Sequence, residues 1–345
     1  MAFACFEAVD RVPRYAQFVE SLDKKMTEFL GKPPAEKFPM DRAWCDSQLT
    51  PPPGTPVTDY ASYYPEHRVG EKEFSIDTLG VGHLGHGFYH FTEYISPLRN
   101  AESFSELERY PIDDFTGWSD EAIRTEVVDR HAQGRPAGIF LGHMYENAWQ
   151  VRGYEPFLID LLTQRDWAEY LLDRFAAGNR NLAVAGARAG CDVIFAGDDI
   201  ANQNAMMFTP DLWREIFKPR WAAVFAAARA IKPDIQIWYH SDGNITDVLD
   251  DLVEIGITIL NPVQPECVDP RAIRRRFGKR LAFDGCVGTQ TTFPFGTPEE
   301  MRRVVRGLIK DLDAMNGGLM LSPTHVLEPE VTPENILAFF EACDG

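Results

Sequence analysis

Between residues 137 and 325, short and almost continuous apolar runs alternate with longer stretches whose apolar positions recur every three or four residues. The runs at 137–142, 192–196, 235–239, 257–260, 280–283 and 318–321 read as strands, because unbroken apolar character over so few residues marks a strand covered on both faces. The stretches at 158–187, 210–231, 245–256 and 298–315 read as amphipathic helices. Repeated strand and helix units of this kind predict a parallel sheet with helices packed on it. Their number fits a (β/α)8 TIM barrel better than a doubly wound sheet, and no Gly-x-Gly-x-x-Gly follows the first strand, which argues against dinucleotide binding. Upstream, residues 14–31 carry a helical pattern that stops at Gly31 and Pro33, and the Pro-rich stretch from Pro51 to Gly70 follows neither period. The chain therefore divides into an N-terminal helix with an irregular arm, 1–73, and a barrel, 74–345.

Barrels of this type work at the C-terminal ends of their strands, so the residues after each apolar run are informative. His143, Tyr145, Glu146 and Trp149 follow the first run, and Asp198, Asp199, Asn202 and Gln203 the second. The third runs straight into His240-Ser241-Asp242-Gly243-Asn244, and later ends carry Asn261 with Gln264, Asp284 with Cys286 and Gln290, and Ser322 with His325. One polar residue at a strand end is ordinarily a helix N-cap; six such ends in succession mark a site.

His240 and Asp242, two positions apart, can aim an imidazole nitrogen and a carboxylate oxygen at one ion. His325 can complete a two-histidine, one-carboxylate set suited to zinc or iron(II). Asp198 and Asp199 read either as a helix N-cap pair or as two carboxylates able to repel one another until one serves as a general acid, and Glu146, close to Trp149, is a candidate for the same role through desolvation. The segment 83–90 places His83, His86 and His90 among glycines, as expected of a bent loop or hairpin lining a substrate entrance. Phe88, Tyr89, Tyr145 and Trp149 are candidates for stacking on a substrate, with core packing as the alternative.

Composition narrows the classes. With 345 residues, 45% hydrophobic and 25% charged, the chain can bury a large core without disulfides. Lys and Arg number 34 against 52 Asp and Glu, a formal charge of −18 that repels nucleic acid and anionic membranes. No apolar run is long enough to span a membrane, and Glu7, Asp10 and Arg11 interrupt the N-terminus where a signal peptide would be apolar. Six scattered cysteines without a CxxC pair suit a reducing compartment, so a cytoplasmic location is expected.

The same residues carry a family resemblance. The run His240 to Ile245, followed by Asp251-Leu252-Val253-Glu254-Ile255-Gly256 and Leu260-Asn261-Pro262-Val263-Gln264, resembles the uroporphyrinogen decarboxylase superfamily and its His-Ser-Cys-Gly-Asn motif, within it the methyltransferase branch that serves corrinoid proteins. Gly197-Asp198-Asp199, Met206 to Pro210, Phe295 to Glu300, Leu321-Ser322-Pro323 and Pro333-Glu334-Asn335 extend the likeness, which begins near residue 74. It implies a (β/α)8 barrel with its cleft at the strand ends.

Nothing here resembles the Arg-rich signature with which true uroporphyrinogen decarboxylases grip substrate carboxylates; Arg11, Arg14 and Arg42 stand isolated. The methyltransferase branch holds zinc with His-x-Cys and a later Cys, whereas this chain has Asp242 and His325 at those positions. Such donors are harder than thiolates, which favours an oxygen-bearing methyl donor over a thiol. The resemblance thus implies a metal at His240, Asp242 and His325, with Glu146, Asp198 or Asp199 protonating the departing oxygen. Tyr145, Trp149, Asn261, Gln264 and His86 would contact the donor, and a partner protein would present the corrinoid that accepts the methyl group. Two other readings are a metal-free lyase of the decarboxylase type, which requires basic residues in its pocket, and a non-catalytic module that holds a corrinoid or tetrapyrrole. Cys286 is open between a fourth ligand and a buried thiol.

Overall fold

A computed structural model describes residues 1, 4–41, 43–67, 74–85, 89 and 92–344. Helix α1 (Glu20–Leu30) and the short α2 (Pro34–Lys37) precede an antiparallel three-stranded sheet of β1 (Phe74–Ile76), β2 (Gly82–Leu84) and β3 (Glu93–Ile95). Helices α3 (Phe104–Arg109) and α4 (Glu121–Ala132) lead to β4 (Gly138–Phe140), which is followed by α5 (Tyr145–Arg152), α6 (Tyr154–Thr163) and α7 (Arg165–Ala189). The chain then runs through β5 (Val193–Gly197), α8 (Pro210–Arg229), β6 (Gln236–His240), α9 (Leu249–Ile255), β7 (Ile259–Asn261) and α10 (Pro270–Phe277). It ends with β8 (Ala282–Val287), α11 (Thr292–Phe295), α12 (Pro298–Asp311), β9 (Leu319–Pro323) and α13 (Pro333–Cys343).

Strands β4 to β9 lie in chain order as one parallel sheet, so all six apolar runs are strands of a TIM-type α/β barrel. Parallel neighbours need a crossover, and the helices supply it while covering the outer face. Helix α8 shows how: Thr209 caps it through Leu212 N–H, Pro210 occupies its first turn, and Trp213, Ile216, Phe217, Trp221, Val224 and Phe225 bury one stripe.

The N-terminal arm joins this ring. Tyr15 N–H donates to the Leu321 carbonyl at 3.0 Å, and Leu321 N–H to that of Pro13 at 2.8 Å, along β9. Cys45 N–H donates to the Gly138 carbonyl of β4 at 2.6 Å, and Asp41 N–H to that of Arg14 at 2.8 Å. Backbone contacts therefore run from β9 through residues 13–15 and 41–45 to β4. The helical pattern expected from residue 14 begins only at Glu20. Residues 12, 14 and 16 are buried in alternation, a strand period disguised by the charge of Arg14. That guanidinium pairs with Asp344 and lies 5.8 Å over the Phe340 ring. The hairpin expected around 83–90 is flanked by antiparallel β2 and β3. Among the described residues no helix is long and apolar enough to cross a membrane.

Candidate active site at the strand ends

The C-terminal ends of β4, β5 and β6 bring two clusters of one histidine and two carboxylates side by side: His143, Glu146 and Asp198, and Asp199, His240 and Asp242. Within each, one ligand-type atom per residue lies within 4.8 Å of the others. Gly197 allows the approach, since a Cβ there would collide with the backbone and Cβ of His240.

Asp198 and Asp199 part company because successive residues of a strand face opposite ways. Asp198 continues the series Ile194 and Ala196 toward the helices and is fully buried. Its Oδ1 accepts from the N–H groups of Met144 at 2.7 Å, Tyr145 at 2.7 Å and Glu146 at 3.2 Å, while its Oδ2 accepts from the Trp221 indole at 3.0 Å. Burial pushes this carboxyl up to about 7, against the pull of the nearby His143 charge and of these donors. Held by four donors and fully buried, Asp198 fastens the start of α5 to the end of β5 and has no face for substrate.

Asp199 turns into the lumen. Its Oδ1 accepts Asp242 N–H at 2.8 Å and lies 3.4 Å from His240 Nε2. Burial works to raise its pKa, but the His240 charge and these donors hold it well below the usual carboxylate range. His240 Nδ1 meets Asn261 Oδ1 at 2.6 Å, and Asn261 Nδ2 is committed to the Asp284 carbonyl at 3.0 Å. The amide orientation is therefore fixed, Nδ1 carries the proton, and Nε2 is left for the carboxylate side. Trp238 stacks beneath the ring at 5.8 Å and 10°, and its indole N–H donates to buried Asp284 at 2.8 Å. An imidazole nitrogen with two carboxylates is an acceptable donor set for zinc or iron(II), and a second partner already sets its tautomer.

In the other cluster His143 Nδ1 donates to the Gly197 carbonyl at 2.8 Å and lies 3.0 Å from Glu146 Oε2. The same Glu146 oxygen accepts Asp199 N–H at 2.9 Å. Burial disfavours charge on this ring, yet Glu146 prevails and raises His143 to about 9.

Both clusters border a cavity of about 440 Å³ whose wall includes Tyr15, Trp44, Phe140, Trp238, Asn261 and His325. A second cavity of about 680 Å³ shares Asp199, Thr324, His325 and Val326 with it and adds Asp242, Gln264 and Glu330. No Arg or Lys occurs among the described lining residues of either.

The structure thus gathers His240 and Asp242 with Asp199, and places His325 on the shared wall outside that group. Asn261 supports His240, and Gln264 accepts Gly243 N–H at 3.3 Å. Tyr145, expected at the substrate, is only 1% exposed and packs edge-on against Phe208 and Phe217. Trp149 packs edge-on with Tyr94 and Tyr154. His86 and Phe88 lie outside the described residues. Cys286 is buried in β8, and desolvation raises its thiol pKa. The sequence did not single out the His143 and Glu146 pair, although their spacing of three at a helix start puts them within reach; nor did it single out Trp238, two residues before His240 on the same strand face.

Fold and site together define an α/β barrel with an acidic, histidine-bearing cleft at its strand ends. The chain belongs to the uroporphyrinogen decarboxylase (URO-D) family, which it matches over residues 94–345. Its fold is similar to that of a methyltransferase from Methanosarcina mazei, with 17% identity, a TM-score of 0.68, and coverage of 99% of this chain and 96% of that one. A B12-independent methionine synthase from Shewanella sp. W3-18-1 reaches a TM-score of only 0.39 at 15% identity, over 64% of this chain and 65% of its own. Among curated protein sequences nothing matches.

Proposed function

We propose that this chain is a cytoplasmic methyltransferase that takes a methyl group from a methoxylated aromatic compound and delivers it to the corrinoid of a partner protein. The observation that carries this reading is the cluster of Asp199, His240 and Asp242 at the strand ends of a URO-D family barrel. Zinc or iron(II) held there would supply Lewis-acid assistance to the oxygen that loses the methyl group. His240 presents Nε2 because Asn261 fixes its tautomer. Asp199 and Asp242 supply the negative charge that a divalent ion requires, and His325 stands on the same wall as a further donor. Trp44, Phe140 and Trp238 offer flat apolar surface to an aromatic ring. Asp198 preserves this arrangement from behind by tying α5 to β5.

The choice of donor follows from the ligands and the wall. Oxygen and imidazole donors make a harder site than thiolates, which suits an ether better than a thiol. A decarboxylase acting on a polycarboxylate is expected to grip it with Arg or Lys, and the described lining of the two cavities offers neither, which supports methyl transfer over the lyase reading.

The test begins with metal content of protein purified without chelator or a nickel tag, beside His240→Ala. About one zinc or iron per chain in the parent and none in the variant, followed by cob(I)alamin-dependent loss of methyl from 2-methoxyphenol, is the expected result. Protein that takes up no metal even on reconstitution sinks the Lewis-acid reading and favours the lyase.

A further inference from the structure

Breaking an aryl methyl ether leaves the bond's electron pair on oxygen, and an unassisted phenoxide is a poor leaving group. A proton delivered to that oxygen therefore eases its departure, beside the Lewis-acid help that a metal at Asp199, His240 and Asp242 would give. Of the acidic groups near the strand ends, Asp198 is buried behind the wall with both oxygens engaged, and Asp199 Oδ1 accepts Asp242 N–H and faces His240 Nε2. Glu146 Oε2 is shared between His143 and Asp199 N–H.

His143 differs from these. Its Nδ1 faces the Gly197 carbonyl, which can only accept, so Nδ1 carries a hydrogen in either charge state and Nε2 is the atom that gains or loses the second proton. Nε2 has no hydrogen-bond partner among the described residues, and the ring lines the cavity that His240 and Asp199 also line. A carboxylate beside one ring nitrogen, no protein partner on the other, and a ring that lines a cavity together make the arrangement in which histidine passes protons to a substrate.

We propose, building on the methyl-transfer reading, that His143 is the catalytic proton donor to the departing oxygen and that Glu146 is its positioning residue. The methyl carbon forms its new bond with the electron pair of the accepting nucleophile, the carbon–oxygen pair stays on oxygen, and that oxygen takes the proton from His143 Nε2. Glu146 keeps the ring oriented and offsets its charge beforehand, and solvent returns the proton after the phenol leaves.

Two measurements test this, the first needing neither metal nor corrinoid. His143→Asn keeps an N–H for the Gly197 carbonyl, and Glu146→Gln serves as a second variant should the first not fold. Binding of 4-nitrophenolate, followed by its visible band, should weaken about 10-fold in His143→Asn, as loss of a charge-assisted hydrogen bond implies, while 4-nitroanisole binds as before. In turnover, 2-methoxyphenol should slow about 100-fold with little change in KM, and 4-nitroanisole, whose leaving oxygen is a much weaker base, far less. Equal losses on both ethers, or unchanged nitrophenolate affinity, overturn the assignment of His143 and leave methyl transfer standing. A parent enzyme that demethylates no ether at all overturns the methyl-transfer reading, and this proposal with it.

Discussion

The two clusters at the strand ends have the same inventory, one histidine and two carboxylates, yet their surroundings prepare them for different chemistry. Around Asp199, His240 and Asp242, the ring's far nitrogen is tied to the Asn261 amide, so the near nitrogen and the carboxylates converge as donors. Around His143, Glu146 and Asp198, one carboxylate is saturated by three backbone N–H groups and an indole, and the other stands behind the imidazole. The first arrangement suits holding a cation and the second suits handling a proton. Residue type sets what a group can do; the partner on its far side sets what it does.

The sharpest break of this contrast is expected at the adjacent aspartates. Asp198→Asn places an NH2 against donors or leaves them unpaired in the core, and should cost about 3 kcal/mol in urea unfolding. Asp199→Asn, at a half-exposed side chain, should cost less than about 1 kcal/mol. Equal costs would mean that the buried anchor does not exist.

A smaller effect separates the clusters by function. Asn261→Ala should weaken zinc binding, read by calorimetry, about 10- to 100-fold, because it frees the tautomer of His240. His143→Asn should leave zinc binding unchanged. If zinc affinity follows His143 and ignores Asn261, the roles of the clusters are reversed.

The smallest effect is one of pH. His143 rises from an ordinary 6.5 to about 9 in the folded chain, burial opposing the charge and Glu146 more than compensating. A raised pKa stabilises the fold fully below the unfolded value and loses that contribution as pH climbs through the folded one. The stability gap between parent and His143→Asn should therefore shrink by on the order of 2 kcal/mol between about pH 6 and about pH 10. A gap that stays constant across that range would show that the ring is not held charged.

Much of this was legible in the chain. All six central strands followed from apolar runs, and the polar residues at their ends pointed to the cleft. The separation of Asp198 from Asp199 was also latent in the pattern, since Ile194, Ala196 and Asp198 share one strand face while Phe195, Gly197 and Asp199 share the other. The arm was harder to see: buried Arg14 interrupts the alternation of Val12 and Ala16, and its compensating partner, Asp344, lies 330 residues away. Tyr145 and Trp149 stand next to a strand-end cluster in sequence, but α5 turns them onto Phe208, Phe217, Tyr94 and Tyr154.

By itself the sequence determined the period of each segment, the identity of the strand-end groups and the family to which they belong, because these depend on neighbours within a few positions. Tertiary structure decided the partners. That His240 meets Asn261 across 21 residues, that Glu146 spans 53 to the backbone of Asp199, and that the first strand-like segment closes on β9 all depend on register and ring closure. Those are properties of the packed sheet as a whole, and no local pattern encodes them.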